Sequence, residues 1–465
     1  MDKPIRRLFL VFTLLFIALI VQLTYVQVWA APDLKTKPSN TRTLAEEMKI
    51  NRGAIFSADG VELAVSKKSG DNFYRKYPQG DITSPWLGYS NLRYGRAGVE
   101  RVYNEDLTGQ SGILGVKNYL DQVLGRTHRG ADLKLTINMK VQRAAAEALG
   151  KRKGAVIALD PSTGAVLAMV SYPRYDPNKL ADIWGELNSD SDSPLLNRAT
   201  HGLYPPGSVF KTLVAAAALQ EGTVRTNSEF QDDGTFTAQG YVVRNSGNKV
   251  HGKHDFAGAF ASSVNTTFAK VGIELGGETI ARYADSFGFN KSPDWPLGGA
   301  KSRFPSPGDM DKAHVAQASF GQGEVLASPL EMALVASAIA NGGKIMKPYI
   351  IDTVMDNHQR VLTQTRPQVW LTPIRSETAN TVKQLMIKTV NEGTGTSAAI
   401  RNVKVAGKTG TAEVAGKEPH AWFTGFAPAD KPEIVVAVIV ENAGAGGSVA
   451  APIAKQVMAT ALENR

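Results

Sequence analysis

Ser208-Val209-Phe210-Lys211 sets a hydroxyl and an amine three residues apart, so that both share one face if the segment is helical. A serine hydroxyl needs a base to attack an acyl carbon. Lys211 can be that base only when neutral, and a free lysine loses its proton near a pKa of roughly 10.4. Burial disfavours the ammonium, and a second cation nearby lowers the value further. Two later motifs supply the missing parts. Ser263-Val264-Asn265 offers a hydroxyl to relay a proton to a leaving amine and an amide to orient Lys211 and a substrate amide. Lys408-Thr409-Gly410-Thr411 offers the second cation, and Lys408 with Thr409 can bind a substrate carboxylate. Gly410 would let the strand backbone approach a substrate closely. Together the three motifs describe serine acyl transfer with lysine as base.

Each motif has a plain competing reading. Ser208 can be a helix cap and Lys211 a solvated side chain. Ser246-Gly247-Asn248-Lys249 repeats the first pattern, and Lys68-Ser69-Gly70 mimics the third. What separates them is the surroundings. Tyr204-Pro205-Pro206-Gly207 is a rigid entry, and Ser208 then opens an Ala-rich apolar helix, where unpaired backbone N–H groups favour developing negative charge. The Ser246 stretch is a hydrophilic turn with no apolar helix behind it. His251, His254 and Asp255 form a possible metal cluster without a third distant ligand, so no metal is expected. His420, beside Trp422, reads as structural. Glu413 reads equally as a surface group or a substrate contact. Ser319 to Glu324 is Gly-rich but lacks the Gly-Lys-Ser/Thr of a phosphate loop; it reads as a turn near the site, and no cofactor is expected.

The elements that must position these residues follow from periodicity. Residues 133–138 alternate like a strand, and 141–149 form an amphipathic helix. Residues 154–159 and 165–170 are apolar strands joined by the turn Asp160-Pro161-Ser162-Thr163-Gly164. At the far end, 403–412, 421–427 and 433–441 are strands and 452–462 a helix. Between them the chain reads mainly helical, at 209–220, 257–275, 279–287, 330–341 and 376–391. An antiparallel sheet is thus assembled from both ends of one domain, with a helical block inserted. Nearer the N-terminus, residues 55–64 read as a hairpin with an Asp59-Gly60 turn.

The 465 residues hold no cysteine, which excludes disulfides, thiolate zinc sites and cysteine nucleophiles. The net charge of +9 comes without a long Lys/Arg run, so an anionic surface or wall polymer fits better than nucleic acid. Residues 8–31 are apolar and about long enough to cross a bilayer, with Lys3, Arg6 and Arg7 before them. The expectation is a retained anchor with the bulk of the chain outside; the rival is a signal peptide cleaved near Val28-Trp29-Ala30. Residues 32–45 read as a polar linker.

With these residues in view, the chain resembles class B penicillin-binding proteins, especially those of the PbpA type. The three motifs match that family's in order. Residues 154–176, 194–211, 320–343 and 421–428 are similar as well, and Arg52-Gly53-Ala54-Ile55 and Gly95-Arg96-Ala97-Gly98-Val99-Glu100 resemble its N-terminal pedestal. One departure is Val264, where many members carry Ser or Cys; it should point away from substrate.

The resemblance implies an α/β (α+β) transpeptidase fold: a five-stranded antiparallel sheet flanked by helices, an inserted all-helical subdomain, a pedestal and one transmembrane helix. The divisions expected are 1–7 cytoplasmic, 8–31 anchor, 32–131 pedestal of the dimerisation type and 132–465 transpeptidase. It implies a D,D-transpeptidase that cross-links peptidoglycan stem peptides through a Ser208 acyl-enzyme, releases D-Ala and is inhibited by β-lactams. Lys211, Ser263, Asn265 and Lys408 would serve catalysis, and Thr409, Gly410 and Thr411 would bind substrate. Backbone N–H groups of Ser208 and Thr411 would form the oxyanion hole. Implied partners are a SEDS-type glycosyltransferase and divisome or elongation proteins. A glycosyltransferase domain of its own would not fit between anchor and transpeptidase. A D,D-carboxypeptidase, a β-lactamase, a β-lactam sensor and a scaffold are the alternatives.

Overall fold

The computed structural model describes residues 3–29, 49–112, 115, 118, 129–292 and 295–463. The expected linker, 32–45, lies outside them. Helix Lys3–Thr24 and the wider turn Tyr25–Trp29 open the chain. An 18-residue window of the span Lys3–Gln27 has a mean hydropathy of 2.5 and is not buried against protein, so the span is long and apolar enough to cross a membrane.

The centre of the molecule is a five-stranded antiparallel sheet. Its order is Ala406–Val414, Lys417–Ala427, Ile434–Val440, Gly154–Leu159, Val166–Tyr172. Both ends of the domain contribute, as the periodicity indicated, and Ile434–Val440 pairs with Gly154–Leu159 in the middle. Every residue of Ile434–Val440 is buried, the mark of a sheet covered on both faces. Alternation sorts the side chains: Val435, Ala437 and Ile439 join the core under the helical block. Ile434, Val436, Val438 and Val440 join a second core, under helix Met139–Leu149 and the C-terminal helix Gly446–Glu463. That last helix starts earlier than its periodicity suggested, and Pro452 sits inside it.

Three stretches differ from the sequence reading. Strand Asp132–Leu135 does not join this sheet. It runs parallel to Ile55–Phe56 and antiparallel to Ile351–Met355 in a separate six-stranded sheet. Residues 229–255 fold as two small two-stranded sheets, Glu229–Asp232 with Gly252–Asp255 and Thr235–Ala238 with Tyr241–Arg244. The helix expected over 257–275 is two helices, Phe256–Ala261 and Asn265–Leu275. The break is Ser263, whose φ of +61° is left-handed and incompatible with a continuous helix.

In the N-terminal part, the hairpin around Asp59-Gly60 is present, with Ile55 opposite Ala64. The two pedestal-like segments meet through charge. Arg52 Nε and Arg75 Nε lie 2.7 and 2.6 Å from the two oxygens of the fully buried Glu100. Burial alone would push that carboxyl up; Arg75 and Arg52 outweigh it and hold it below its ordinary value.

Candidate active site

The segment leading to Ser208 is pinned at every step. Tyr204 exchanges backbone hydrogen bonds with Ala327. Its phenol donates to Glu441 Oε1 at 2.8 Å, which also accepts from Arg198 Nε at 2.8 Å. Trp422 Nε1 donates to Pro205 O at 3.0 Å, and Gly207 N donates to Gly321 O at 2.9 Å, so the Gly-rich turn at 319–324 does lie at the site. Gly207 has a φ of +55°, and a Cβ there would fall 2.9 Å from Thr411 O, so only glycine allows the turn and the edge strand this close.

Ser208 belongs to the 3-10 turn Gly207–Phe210, and α-helix begins at Lys211. In a 3-10 turn residues i and i+3 eclipse, which aligns Ser208 with Lys211 more directly than an α-turn would. Ser208 is half-buried, whereas Lys211 is entirely buried. Lys211 Nζ lies 2.8 Å from Ser263 O, 2.7 Å from Asn265 Oδ1 and 3.3 Å from Ser263 Oγ, and 5.2 Å from the ring centre of Phe268. The left-handed backbone of Ser263 turns both its carbonyl and its hydroxyl toward this one amine. Such a conformation in a non-glycine residue costs of order 1–3 kcal/mol and persists where the surroundings over-determine it. Burial, and then the charge of Lys408, hold the Lys211 ammonium well below its ordinary pKa.

Lys408 comes from the edge strand Ala406–Val414. It too is fully buried, 5.7 Å from the ring centre of Phe260, and burial lowers its pKa to about 7. Alternation along the strand decides the rest. Lys408 and Gly410 share the face toward the nucleophile segment. A Cβ on Gly410 would lie 3.0 Å from Pro206 O and 3.1 Å from Val209 Cγ1. This glycine therefore permits a close approach of the strand to the Ser208 turn. Thr409 lies on the opposite face: it is 5% exposed and its hydroxyl is 2.5 Å from Thr394 Oγ1. Thr411 is half-buried, opposite Ala421.

Val264 is buried, consistent with a side chain directed away from substrate. Asn265 Nδ2 donates to Arg244 O at 2.9 Å, leaving Oδ1 for Lys211. Ser246 and Lys249 lie in the exposed turn after that strand. Lys68-Ser69 ends strand Glu62–Ser69, in the separate six-stranded sheet. Both ring nitrogens of His254 are occupied, by Gly252 O and Thr267 Oγ1. Among the described residues no group of three or more His, Cys, Asp or Glu could hold a metal ion. His420 Nδ1 accepts from Asn442 N at 3.0 Å and its ring meets Tyr204 edge-on. Glu413 is exposed at the end of the edge strand, close enough to Tyr241 to add to the effect of burial in raising its phenol.

Sequence reasoning missed Glu441, Asp232 and Asn245. Glu441 reads in the sequence only as the end of a strand. The other two lie in a hydrophilic stretch whose role depends on contacts with distant segments, and no local pattern marks them.

Comparison with known proteins places this geometry. Residues 154–459 match the family model of the penicillin-binding protein transpeptidase domain, and residues 52–133 match that of the penicillin-binding protein A dimerisation domain. The peptidoglycan D,D-transpeptidase PbpA of Mycolicibacterium smegmatis is 36% identical, over 99% of each chain. An imipenem acyl-enzyme complex of penicillin-binding protein A from M. tuberculosis superimposes with a TM-score of 0.85 at 35% identity, covering 90% of this chain and 99% of the other. The D,D-transpeptidase domain of a peptidoglycan glycosyltransferase from Eggerthella lenta gives 0.83 at 37% identity, covering 89% and 99%. The chain belongs to the penicillin-binding protein transpeptidase family.

Proposed function

We propose that the protein is a peptidoglycan D,D-transpeptidase whose nucleophile is Ser208. The observation that carries this is the state of Lys211, buried one turn from Ser208 with two short acceptors on its amine. A neutral amine has two N–H bonds and one lone pair. Ser263 O and Asn265 Oδ1 take both hydrogens, which leaves the lone pair to receive the Ser208 proton.

Ser208 Oγ attacks the carbonyl carbon of the D-Ala-D-Ala amide as its proton passes to Lys211. Backbone N–H groups of Ser208 and Thr411 receive the oxyanion, and losing one such donor typically lowers the rate by about 10²–10³. The proton moves from Lys211 through Ser263 Oγ to the departing D-Ala amine, and the C–N bond breaks. An acceptor stem-peptide amine then attacks the ester, gives its proton to the same relay and frees Ser208. A β-lactam follows the first half of this course and remains as an ester. Lys408 on one face of the strand and Thr409 and Thr411 on the other, with Gly410 between the two threonines, are the groups this strand offers for the substrate.

In the same proposal, residues 1–7 are cytoplasmic, 8–31 an uncleaved single-pass anchor, 32–131 the pedestal and 132–465 the extracytoplasmic transpeptidase domain. A SEDS-type glycosyltransferase and elongation or division proteins would supply nascent strands. The test is labelling with a fluorescent penicillin followed by peptide mass mapping. Ser208 should carry the adduct and Ser208→Ala should not label; a labelled Ser208→Ala protein would refute the assignment. Following the acyl-enzyme mass over time separates a transpeptidase, which stays acylated, from a β-lactamase, which returns to free enzyme.

A further inference from the structure

Helix Asn265–Leu275 starts inside the second motif, and the residue at its N-cap, Val264, has no side-chain acceptor to offer. The first amides of a helix lack internal partners and are normally satisfied by such a cap. Here the acceptor comes from elsewhere. Asn245 Oδ1 accepts from the backbone N–H groups of Asn265, at 2.9 Å, and Thr266, at 3.2 Å. Asn245 is itself held by its Nδ2, which donates to Asp232 Oδ2 at 2.8 Å and to Lys249 O at 3.0 Å.

Asp232 is fully buried. Besides Asn245 it accepts from Thr266 Oγ1 at 2.6 Å, His251 N at 2.8 Å and Gly234 N at 3.0 Å. An ionised carboxylate only accepts, so the Asn245 amide cannot flip: its nitrogen must face Asp232 and its oxygen must face the helix. The residue before Asn245 completes the arrangement, since Arg244 O takes the side-chain nitrogen of Asn265. One short segment thus fixes both the backbone and the amide of the residue that accepts from Lys211.

We propose that Asp232 and Asn245 are positioning residues for acyl transfer. They form an anionic clamp that sets Asn265 Oδ1 and, through it, the direction of the Lys211 lone pair toward Ser208. The clamp rests on the reading of Ser208 as nucleophile and Lys211 as base, and its test keeps the two apart.

The measurement is the rate of Ser208 acylation by a fluorescent penicillin, on the full-length protein, with a thermal melt of each variant. Asn245→Ala should melt cooperatively, still label at Ser208, and acylate on the order of 10- to 100-fold more slowly, the penalty for misplacing a reacting group by a fraction of an ångström to an ångström. Coupling separates positioning from general support. Asn245→Ala combined with Asn265→Ala should be no slower than Asn265→Ala alone beyond about twofold, because the clamp acts through that amide. Rescue is the second readout. Asn245→Asp keeps the capping oxygen but sets a carboxylate against Asp232 and should be slow; adding Asp232→Asn restores a donor to that bond and should recover part of the rate, the new amide also facing His251 N and the new carboxylate Lys249 O. The clamp is overturned if Asn245→Ala acylates within about twofold of wild type, if the two alanine effects multiply, or if Asp232→Asn fails to rescue Asn245→Asp. Should Asn245→Ala lose its cooperative melt, Asn245→Asp and its rescue decide between the same two outcomes. Failure of the underlying reading looks different: wild-type protein would then label at a residue other than Ser208.

Discussion

Replacing Lys408 by methionine removes a buried charge and keeps most of the volume, and its effect on Lys211 can be worked out in advance. The Nζ atoms lie 5.2 and 5.7 Å from the ring centres of Phe268 and Phe260, and those rings are 6.2 Å apart, so both amines share one aromatic-walled pocket. The charge of Lys408 is the second cause of the depressed Lys211 value, and at an effective dielectric of about 20 two unit charges within about 5–10 Å repel by on the order of 2 kcal/mol. At 1.36 kcal/mol per unit, that is about 1.5 pH units. Both pKa shifts are downward, so in wild type acylation rises as pH increases through the first deprotonation of the pair, which belongs to both amines together. Without the second charge, Lys211 keeps its proton to higher pH. The acid limb of the acylation profile should move up by roughly 1–2 units in Lys408→Met, slowing the reaction most at neutral pH and less near pH 9, where only the substrate contact of Lys408 is lost. The assay is the second-order rate constant for penicillin acylation from pH 5 to 10. A profile that falls uniformly without moving would refute the electrostatic role of Lys408. Because burial is the larger cause of the Lys211 shift, the limb should still lie below that of a free lysine.

Two further outcomes follow from the same structure. Lys211→Met should fold yet lose about 10²–10⁴ in acylation rate, the usual worth of a general base. Its melting temperature should also depend less on pH. In wild type the unfolded chain holds more protons between the folded values, about 7 for Lys408 and well below the ordinary lysine value for Lys211, and roughly 10.4, so stability climbs with pH across that window. Equal pH slopes for the two proteins in thermal melts would contradict a depressed Lys211. Glu441→Ala leaves Arg198, whose side chain is 3% exposed, without its carboxylate and Tyr204 without its acceptor. It should lower stability in urea by on the order of 3 kcal/mol and slow acylation by loosening the entry to Ser208; an unchanged urea midpoint would refute the anchoring role.

What could be read from the sequence was what repeats locally. Ile434–Val440 and Gly154–Leu159 are continuous apolar runs, so a buried strand was legible in each, and their membership of one sheet followed from the helical block between them, though not which strand pairs with which. Ser208 and Lys211 were legible because proline, glycine and an alanine-rich helix surround them. Ser263 was legible by type and not by shape. The apolar periodicity runs through 257–275 unbroken, and only the contact with Lys211 explains why the helix yields there. The contact between the hydroxyls of Thr409 and Thr394 left no trace either, because Thr394 lies outside every motif. Asn245 and Asp232 left no local trace, because what they hold lies 20 or more residues further along the chain.

The pairing of Gly154–Leu159 with Ile434–Val440 also bears on when the enzyme becomes reactive. A ribosome delivers Ser208 and Lys211 long before it delivers the strands that complete the sheet. The edge strand bearing Lys408 and the strands beside it arrive in the last part of the chain. Until they dock, Lys211 has its partners from the helical block but not the second charge that helps hold its ammonium down. Full reactivity at neutral pH is thereby conferred by closure of the topology. A chain truncated before Ala406 would carry the nucleophile and its base without the charge that tunes them.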